Sequence, residues 1–277
     1  GEEIRELTGH TNGVVAVCAV RVDDRELLAS ASNDQTVRLW DPATGEEIRE
    51  LTGHTNGVVA VCAVRVDDRE LLASASADRT VQLWNPGNGD AARKLARRWY
   101  RRRTGHTDWV RAVCAVQVND RDLLASAGDD HTVRLWNPAT GKEVRQLTGH
   151  THWVRDLCPV HVDGHDLLAS ASDDHTVRLW DPATGEEVRQ LTGHSNIVHG
   201  VCAVRIGGRD LLASASNDRT VRLWDPAIGT ELFRIPGYAS ANAIVTIANG
   251  IAVGLDTGIL VVALSPDIGR TLFSDKI

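Results

Sequence analysis

The chain has 277 residues, of which 42 % are hydrophobic and 24 % are charged, and its formal net charge is -7 at pH 7. This balance is ordinary for a globular protein, and the negative charge predicts no general attraction to nucleic acid or to an acidic membrane surface. No apolar run reaches the ~18 residues that a membrane-spanning helix needs. Methionine is absent and the first residue falls inside a repeat, so we expect a piece of a longer polypeptide, or a processed one.

An internal repeat dominates the sequence. Residues Gly1 to Ser32 and Gly45 to Ser76 are identical letter for letter. A Gly-His pair recurs at intervals of 44, 52, 44 and 44 residues, and in each unit an Asp follows the His by 24 residues and a Trp follows it by 30. Self-similarity at a fixed period of this size predicts a repeat architecture, in which stacked units bury one another's apolar faces.

The first unit predicts four short strands. Apolar and β-branched residues form runs at Val14 to Val20, Leu27 to Ser32 and Thr36 to Trp40, and the first run is almost wholly apolar, as in a strand buried on both faces. The run Glu46 to Leu51 alternates polar and apolar residues, which predicts an exposed edge strand. Four strands in each unit of ~44 residues are typical of the blades of a β-propeller.

The second unit is longer than the others, and its extra residues lie in the segment 88–104. Between Arg93 and Arg103 this segment holds seven basic residues around Trp99 and Tyr100. Basic residues interleaved with aromatic ones can bind phosphates and stack on bases. An elaborated outer strand or a solvated loop fits the pattern better, and docking onto an acidic neighbouring domain is a further alternative.

The end of the chain departs from the repeat. Gly237-Tyr238 replaces the Gly-His pair, and runs at Ala243 to Ala248, Ile251 to Gly254 and Ile259 to Leu264 predict the strands of a degenerate sixth blade. Its outermost strand is predicted to be either Glu2 to Leu7 or Arg270 to Phe273. We treat 1–277 as a single domain with units at about 8–51, 52–103 (with the insert 88–104), 104–147, 148–191, 192–235 and 236–277.

The Gly-His start, the Ser-Ala-Ser-Asn-Asp turn and the Leu-Trp-Asp end of these units resemble the WD40 repeat, and the resemblance covers residues 1 to 235. It implies an all-β propeller of six blades with four antiparallel strands each, or alternatively a fragment of a seven-bladed propeller. In WD40 blades the signature Trp, Ser, His and Asp form one hydrogen-bonded chain. Carried over by position, the chains consist of His10, Ser30, Asp34, Trp40; His54, Ser74, Asp78, Trp84; His106, Ser126, Asp130, Trp136; His150, Ser170, Asp174, Trp180; and His194, Ser214, Asp218, Trp224.

A set of Ser, His and Asp also resembles the machinery of a hydrolase. The set occurs five times, however, and each copy ends on a Trp that a nucleophile does not need. We therefore predict a structural role, no catalytic residue and no enzymatic activity.

Cysteine and the remaining histidines give little support to a disulfide, metal or cofactor site. One Cys lies eight residues after each signature His, an arrangement that predicts small buried side chains and free thiols, and hence a reducing, cytoplasmic location. Metal ligands have to cluster, whereas His131 and His175 stand one repeat apart on neighbouring units. We predict no metal and no cofactor.

Function is expected where the copies differ. In WD40 propellers the positions three and five residues after the signature His, and the residue before the turn Asp, look out from one face of the disk. Two neighbouring units carry Trp, Arg and Asp there, and the fifth adds a His; the predicted partner-binding residues are Trp109, Arg111, Asp129, Trp153, Arg155, Asp173 and His199. Trp and Arg are enriched at binding hot spots, and the alternative is that both Trp side chains pack between blades. One repeat period predicts that the two Trp-Arg pairs lie side by side, where they suit an acidic or aromatic-containing peptide.

The sequence thus favours a non-catalytic scaffold or sensor propeller that binds a protein or peptide on one face. Near-identical tandem repeats of this kind resemble the C-terminal modules of bacterial signalling proteins, which implies a regulatory module of a larger multidomain protein, with a neighbouring domain as a further partner. Nucleic-acid binding through residues 93–103 and an enzyme with a site in the central channel are the two rival interpretations. No membrane partner is predicted.

Overall fold

The computed structural model describes residues 5–67, 69–95, 105–119, 121–237, 239–247 and 250–263. Within these ranges every regular element is a β-strand, and the strands form six antiparallel sheets. No helix in this part of the chain is long and apolar enough to cross a membrane. The prediction of an all-β chain with six blades is confirmed.

The first three sheets, blades 1 to 3, contain four strands each, and strands that follow one another in the chain pair with one another. Blade 1 consists of β1 (Val14–Val22), β2 (Arg25–Ser32), β3 (Val37–Trp40) and β4 (Glu47–Leu51). Blade 2 consists of β5 (Val58–Val66), β6 (Arg69–Ser76), β7 (Val81–Trp84) and β8 (Ala91–Leu95). Blade 3 consists of β9 (Val110–Val118), β10 (Arg121–Gly128), β11 (Thr132–Asn137) and β12 (Lys142–Thr148).

Blades 4 and 5 repeat this order, and blade 6 has three strands among the described residues. Blade 4 consists of β13 (Val154–Val162), β14 (His165–Ser172), β15 (Val177–Trp180) and β16 (Glu187–Leu191). Blade 5 consists of β17 (Val198–Ile206), β18 (Arg209–Ser216), β19 (Thr220–Asp225) and β20 (Thr230–Pro236). Blade 6 consists of β21 (Ala241–Ile247), β22 (Gly250–Leu255) and β23 (Gly258–Ala263).

The first hairpin of each complete blade is longer than the sequence predicts. In blade 1 the pairing continues to Val22 opposite Arg25, so that a two-residue turn remains. Asp23 in that turn has a φ of 53°, a backbone conformation that Asp tolerates better than most residues. Backbone pairing therefore continues through the polar residues beside the turn, whereas the hydrophobic pattern predicts that the strands end before them.

Neighbouring blades within each compact unit pack face to face. The chain divides into the units Gly1–Gln146 and Leu147–Ile277, with the boundary inside β12. In the first unit, one core combines residues of blades 1 and 2: Val20, Leu27, Ala29, Ala31, Val37, Leu39 and Leu51 with Val58, Val61, Leu72 and Trp84. We call the first set, which meets the next blade, the leading face of blade 1, and the second set the trailing face of blade 2.

The same pairing of a leading face with a trailing face joins blade 2 to blade 3, blade 4 to blade 5 and blade 5 to blade 6. Ala29 and Ala31 are fully buried, and their small side chains let the sheets approach closely while Trp84 of the next blade fills the remaining space. Each fully buried Val or Leu contributes roughly 1.5 to 3 kcal/mol. Blade packing is thus the main stabilising interaction of the fold.

The outermost strand that the sequence predicts for blade 6 lies mostly outside the described residues. That holds for Arg270 to Phe273 and for the beginning of the segment Glu2 to Leu7. Residues 5–7 are described and form no strand.

Candidate functional site

A polar chain of side chains crosses the interior of each of the five complete blades. In blade 1 the indole N–H of Trp40 donates to Ser30 Oγ at 2.7 Å, Ser30 Oγ lies 2.7 Å from His10 Nε2, and His10 Nδ1 lies 2.8 Å from Asp34 Oδ2. Blades 2 to 5 repeat the chain with every contact between 2.7 and 2.9 Å. A neutral imidazole that donates to the carboxylate and accepts from the serine satisfies every member.

The carboxylate end of this chain is held in its charged form. Burial disfavours the charge of Asp130, but hydrogen bonds from His106 and Thr132 outweigh it and lower the pKa of the carboxyl below its usual range. The same balance lowers the pKa of Asp218 in blade 5 to about 2. The arrangement stabilises the turn that each Asp occupies.

The serines of these chains are buried. Ser74, Ser126, Ser170 and Ser214 are 0 % exposed. Each Oγ already accepts the indole N–H of its blade and contacts the imidazole. The geometry fits a network that holds the blade together, because a nucleophile has to reach its substrate.

One compact group forms at an end of blade 3, within the compact unit Gly1–Gln146. It consists of Trp109, Arg111 and Asp129. The guanidinium of Arg111 donates from Nε and Nη2 to the two carboxylate oxygens of Asp129, each at 2.7 Å. Its Cζ atom lies 5.0 Å from the centre of the Trp109 ring. The backbone N–H of Asp129 donates to the carbonyl of Trp109 at 2.8 Å. Trp109 itself is 41 % exposed.

An equivalent group lies in blade 4, within the compact unit Leu147–Ile277. Arg155 donates to Asp173 from Nε at 2.6 Å and from Nη2 at 2.8 Å, and its Cζ atom lies 5.0 Å from the centre of the Trp153 ring. The ring of His152 lies 5.4 Å from that of Trp153. Trp153 is half-buried. We call these two groups, Trp109–Arg111–Asp129 and Trp153–Arg155–Asp173, the Trp–Arg–Asp clamps.

Each clamp is rigid and nearly neutral in charge. Bidentate pairing with a carboxylate and stacking on an indole ring fix the guanidinium plane. The sequence alone treats the arginines as cations available to an acidic peptide, whereas the structure pairs each with a buried Asp of its own blade. The exposed feature that remains is an aromatic surface held in place by that pair.

His199 extends the clamp of the second unit. Its half-buried ring is hydrogen-bonded to Asn217 and lies in the electrostatic field of Arg155, Asp173 and Asp256. Burial and the nearby guanidinium lower the pKa of His199. The structure thus brings Trp153, Arg155, Asp173 and His199 together in one unit and places Trp109, Arg111 and Asp129 together in the other. The juxtaposition of the two clamps stays a prediction of the repeat period.

A family model described as "WD domain, G-beta repeat" matches five segments of the chain, residues 1–41, 45–85, 99–137, 141–181 and 185–225. The chain belongs to the WD40 family. It is 41 % identical over 137 residues to the nuclear distribution protein PAC1 of Ajellomyces capsulatus (strain H143), a match that covers 50 % of this chain and 28 % of that protein. Repeats of this family are generally scaffolds for protein interaction and generally non-catalytic.

The basic insert of the second WD40 unit is partly an ordinary outer strand. Ala91–Leu95 forms β8, and the side chain of Arg93 donates from Nη1 to the carbonyl of Thr140 in the next blade at 3.3 Å. Arg49 of blade 1 makes the corresponding contact with Gly87 at 3.2 Å. Arg93 is therefore a blade-to-blade contact of the scaffold. Residues 96–104, which hold most of the basic and aromatic side chains, lie outside the described part.

The five cysteines are free thiols. Burial raises the pKa of Cys18 and Cys158 to about 12 and that of Cys202 to about 11. These thiols are therefore weak nucleophiles. Among the described residues, no group of three or more His, Cys, Asp and Glu side chains is placed to hold a metal ion.

The sequence analysis did not single out two acidic residues of the compact unit Leu147–Ile277. Asp256 lies near the clamp of blade 4, and Asp156 lies on the inner strand β13. Asp256 faces His199 from blade 6, where its side chain pairs with Asn242. Because blade 6 lacks the Gly-His pair, its positions cannot be aligned with those of the other units. Asp156 lies in the apolar inner strand β13, where three other units have Ala and the fifth has Gly, and a charged residue at this position was a readable signal.

The carboxylate of Asp156 bridges two inner strands. It accepts hydrogen bonds from the backbone N–H groups of Leu157 and, in the next blade, of Val201, both at 2.9 Å. Burial nevertheless raises the pKa of Asp156 to about 6. One isolated acid on these strands does not make the acid pair that a channel enzyme needs.

Proposed function

We propose that this WD40 propeller is a non-catalytic protein-binding scaffold and that each of its two Trp–Arg–Asp clamps is a contact surface. The observation that supports this most is the contrast among the tryptophans. The five signature Trp side chains are at most 2 % exposed, whereas Trp109 is 41 % exposed and is held by Arg111. An exposed Trp fixed in one orientation is typical of a binding hot spot.

The clamps are prepared for binding before a partner arrives. Immobilising a flexible side chain on binding costs roughly 0.5 to 1.5 kcal/mol. In each clamp the bidentate Arg–Asp pair and the ring contact have already fixed Arg111 and Arg155. Binding of a partner to the indole therefore carries no further entropic cost for ordering the guanidinium.

The chemistry of the surface favours a peptide with an aromatic or large apolar side chain. Asp129 and Asp173 neutralise the arginines, so a partner gains little from negative charge alone. A ring or aliphatic group of the partner can stack on the indole. Of the two peptide types that the sequence suggests, the aromatic one fits the paired guanidinium better.

The wider role belongs to the same proposal. We infer a regulatory or sensor module that acts in the cytoplasm beside other domains of a larger protein. The relative named for nuclear distribution is a longer protein, of which this chain covers 28 %, and this supports a module within a larger protein. Free, weakly nucleophilic thiols suit a reducing compartment.

Affinity capture from a lysate of the parent organism tests the proposal. Wild-type bait is compared with a Trp109→Ala/Trp153→Ala variant, and the captured proteins are identified by mass spectrometry. Phe233→Ala is the matched control, because Phe233 is an aromatic residue that is 51 % exposed on the outer strand of blade 5. We expect a specific protein that the wild type and Phe233→Ala retain and the double variant loses. Equal recovery of every protein by all three baits contradicts the proposal.

A further inference from the structure

A polar cleft lies between blades 1 and 2, at the end where the inner strands β1 and β5 turn back into β2 and β6. Its volume is about 390 Å³. The charged residues in its lining are three arginines and two acids: Arg21, Arg65, Arg69, Asp23 and Glu70. The lining is therefore positive on balance, in a chain whose formal net charge is -7.

Arg69 stands where the first repeat has an arginine in an ion pair. The two repeats are identical in sequence around this position, and in blade 1 the equivalent Arg25 donates from Nη2 to Asp41 Oδ2 at 2.6 Å. In blade 2 the residue that corresponds to Asp41 is Asn85, which carries no charge and also lines the cleft. Among the described residues, no carboxylate pairs with Arg69.

The side chain of Asn85 adds a second donor to the cleft. In blade 1, Asp41 Oδ1 accepts the backbone N–H of Ala43 at 2.8 Å, and Oδ2 accepts Arg25. In blade 2, Asn85 Oδ1 accepts the equivalent backbone N–H of Gly87 at 3.0 Å. The atom that corresponds to Asp41 Oδ2 is therefore Nδ2 of Asn85, which donates hydrogen bonds and does not accept them. Donors thus replace a donor–acceptor pair, and an acceptor has to come from elsewhere.

Arg65 has lost its acidic partner in another way. In blade 5 the equivalent Arg205 pairs across the hairpin with Asp210, at 3.9 Å between Nε and Oδ1. Glu70 stands opposite Arg65 in blade 2, but its Oε2 accepts the backbone N–H of Arg21 in blade 1 at 2.7 Å. Within the part of the chain that the structure describes, Arg65 makes no ion pair.

The second repeat is the one that combines these features. Of the five WD40 repeats, it alone has Arg at both hairpin positions together with Asn in place of Asp. Blade 3 keeps the Arg–Asn combination in Arg121 and Asn137 but has Gln117 where blade 2 has Arg65. The cleft is therefore a local departure from the repeat and not a general property of its blades.

We propose that this cleft binds a phosphate group, either as inorganic phosphate or as the monoester of a small molecule. Guanidinium groups bind phosphate through paired, charge-assisted hydrogen bonds. A phosphate monoester carries up to two negative charges and three acceptor oxygens, which suit several donors better than the two oxygens of a carboxylate. The volume is in the range of small-molecule sites, and the negative net charge of the chain opposes a nucleic acid or an acidic membrane as the ligand.

The site is separate from the proposed protein-binding surfaces. It shares no residue with the Trp–Arg–Asp clamps. In blade 3 the clamp lies at the start of the inner strand, whereas the cleft lies where the inner strands of blades 1 and 2 end. Phosphate binding can therefore be present or absent whatever the clamps bind.

Isothermal titration of the full chain at low ionic strength tests the proposal. The ligands are inorganic phosphate and glucose 6-phosphate, with glucose and acetate for comparison. We expect inorganic phosphate to bind, glucose to give no binding heat, and acetate to bind at least tenfold more weakly than phosphate. Binding of glucose 6-phosphate assigns the site to phosphate monoesters, and its failure to bind assigns the site to the free ion.

Two variants with matched controls locate the binding. Asn85→Asp supplies the carboxylate that Arg25 has in blade 1, and Arg69→Gln removes a guanidinium; each is expected to weaken phosphate binding at least tenfold. Asn137→Asp and Arg25→Gln make the same changes at the equivalent positions of blades 3 and 1 and are expected to leave the affinity unchanged. The proposal is overturned by a wild type that binds no phosphate, by acetate that binds as tightly, or by controls that lose as much affinity as the two variants.

Discussion

At the scale of single residues, position in the repeat decides whether a polar side chain is structural or available to a partner. Trp136 and Trp109 belong to the same blade, but the first is 2 % exposed and donates to Ser126 at 2.8 Å, and the second is 41 % exposed. The buried indole completes a hydrogen-bonded chain, and the exposed one stacks with a guanidinium. The two residues are therefore expected to respond differently to the same substitution.

Trp136→Phe is expected to lower the free energy of unfolding by about 1 to 3 kcal/mol, because it removes the donor of a buried hydrogen bond while keeping most of the apolar area. Urea unfolding measures the loss, and Trp109→Phe serves as the control with little effect. The combination with Ser126→Ala is expected to be non-additive, since both residues act in one network. An unchanged stability of Trp136→Phe argues against the network as a stabilising element.

The polar network and the composition of the clamps were predictable from the sequence, because five aligned copies show which residues repeat and which differ. The pairing of Arg111 with Asp129 was not predictable, although both residues were predicted to bind a partner. Their contact depends on how the turn before Thr132 brings the Asp129 carboxylate back to the strand. Asp256 was not predictable for another reason, because the sixth repeat, which contains it, lacks the repeat signature.

At the scale of strands, hydrophobic runs located the elements, and turn geometry set their ends. Blade 6 illustrates both points, since the runs at 243–248, 251–254 and 259–264 correspond to β21, β22 and β23, which begin one or two residues earlier. Polar or glycine residues such as Gly250 and Gly258 belong to the strands because their backbones are paired. A hydrophobic pattern does not detect backbone pairing.

Asp156 gives a pH-dependent prediction at this scale, because it links the edges of β13 and β17. Its pKa is about 6 in the folded chain and 3.8 in the ordinary case. Between these values the folded state holds the proton and the unfolded state does not, so this group makes stability fall as the pH rises from about 4 to 6.

Asp156→Ala removes that fall. We expect the free energy of unfolding of Asp156→Ala, minus that of the wild type, to be larger at pH 7 than at pH 4 by on the order of 2 kcal/mol. Urea unfolding at both pH values measures this, and Glu26→Ala, at an exposed carboxylate of β2, is the control for replacing an acidic side chain by Ala. A difference between wild type and Asp156→Ala that does not change with pH contradicts the account.

At the scale of the whole molecule, the number of blades follows from the number of repeats, but the exposure of equivalent side chains does not. Val17 and Val61 hold the same position in two inner strands of identical sequence, yet Val17 is 60 % exposed and Val61 is 8 % exposed. No sequence pattern distinguishes Val17 from the buried Val61, because their surroundings in the sequence are identical.

The exposed tryptophans of the Trp–Arg–Asp clamps are proposed to bind a protein partner without contributing to folding. Isothermal titration of the captured partner into wild-type and Trp109→Ala/Trp153→Ala protein, with melting curves of both, tests it most directly. Truncating a hot spot typically costs 2 kcal/mol or more, so we predict that Kd rises at least about 30-fold while the melting temperature stays unchanged. A Kd that is the same for both proteins, or a melting temperature that falls in parallel with the affinity, contradicts the claim.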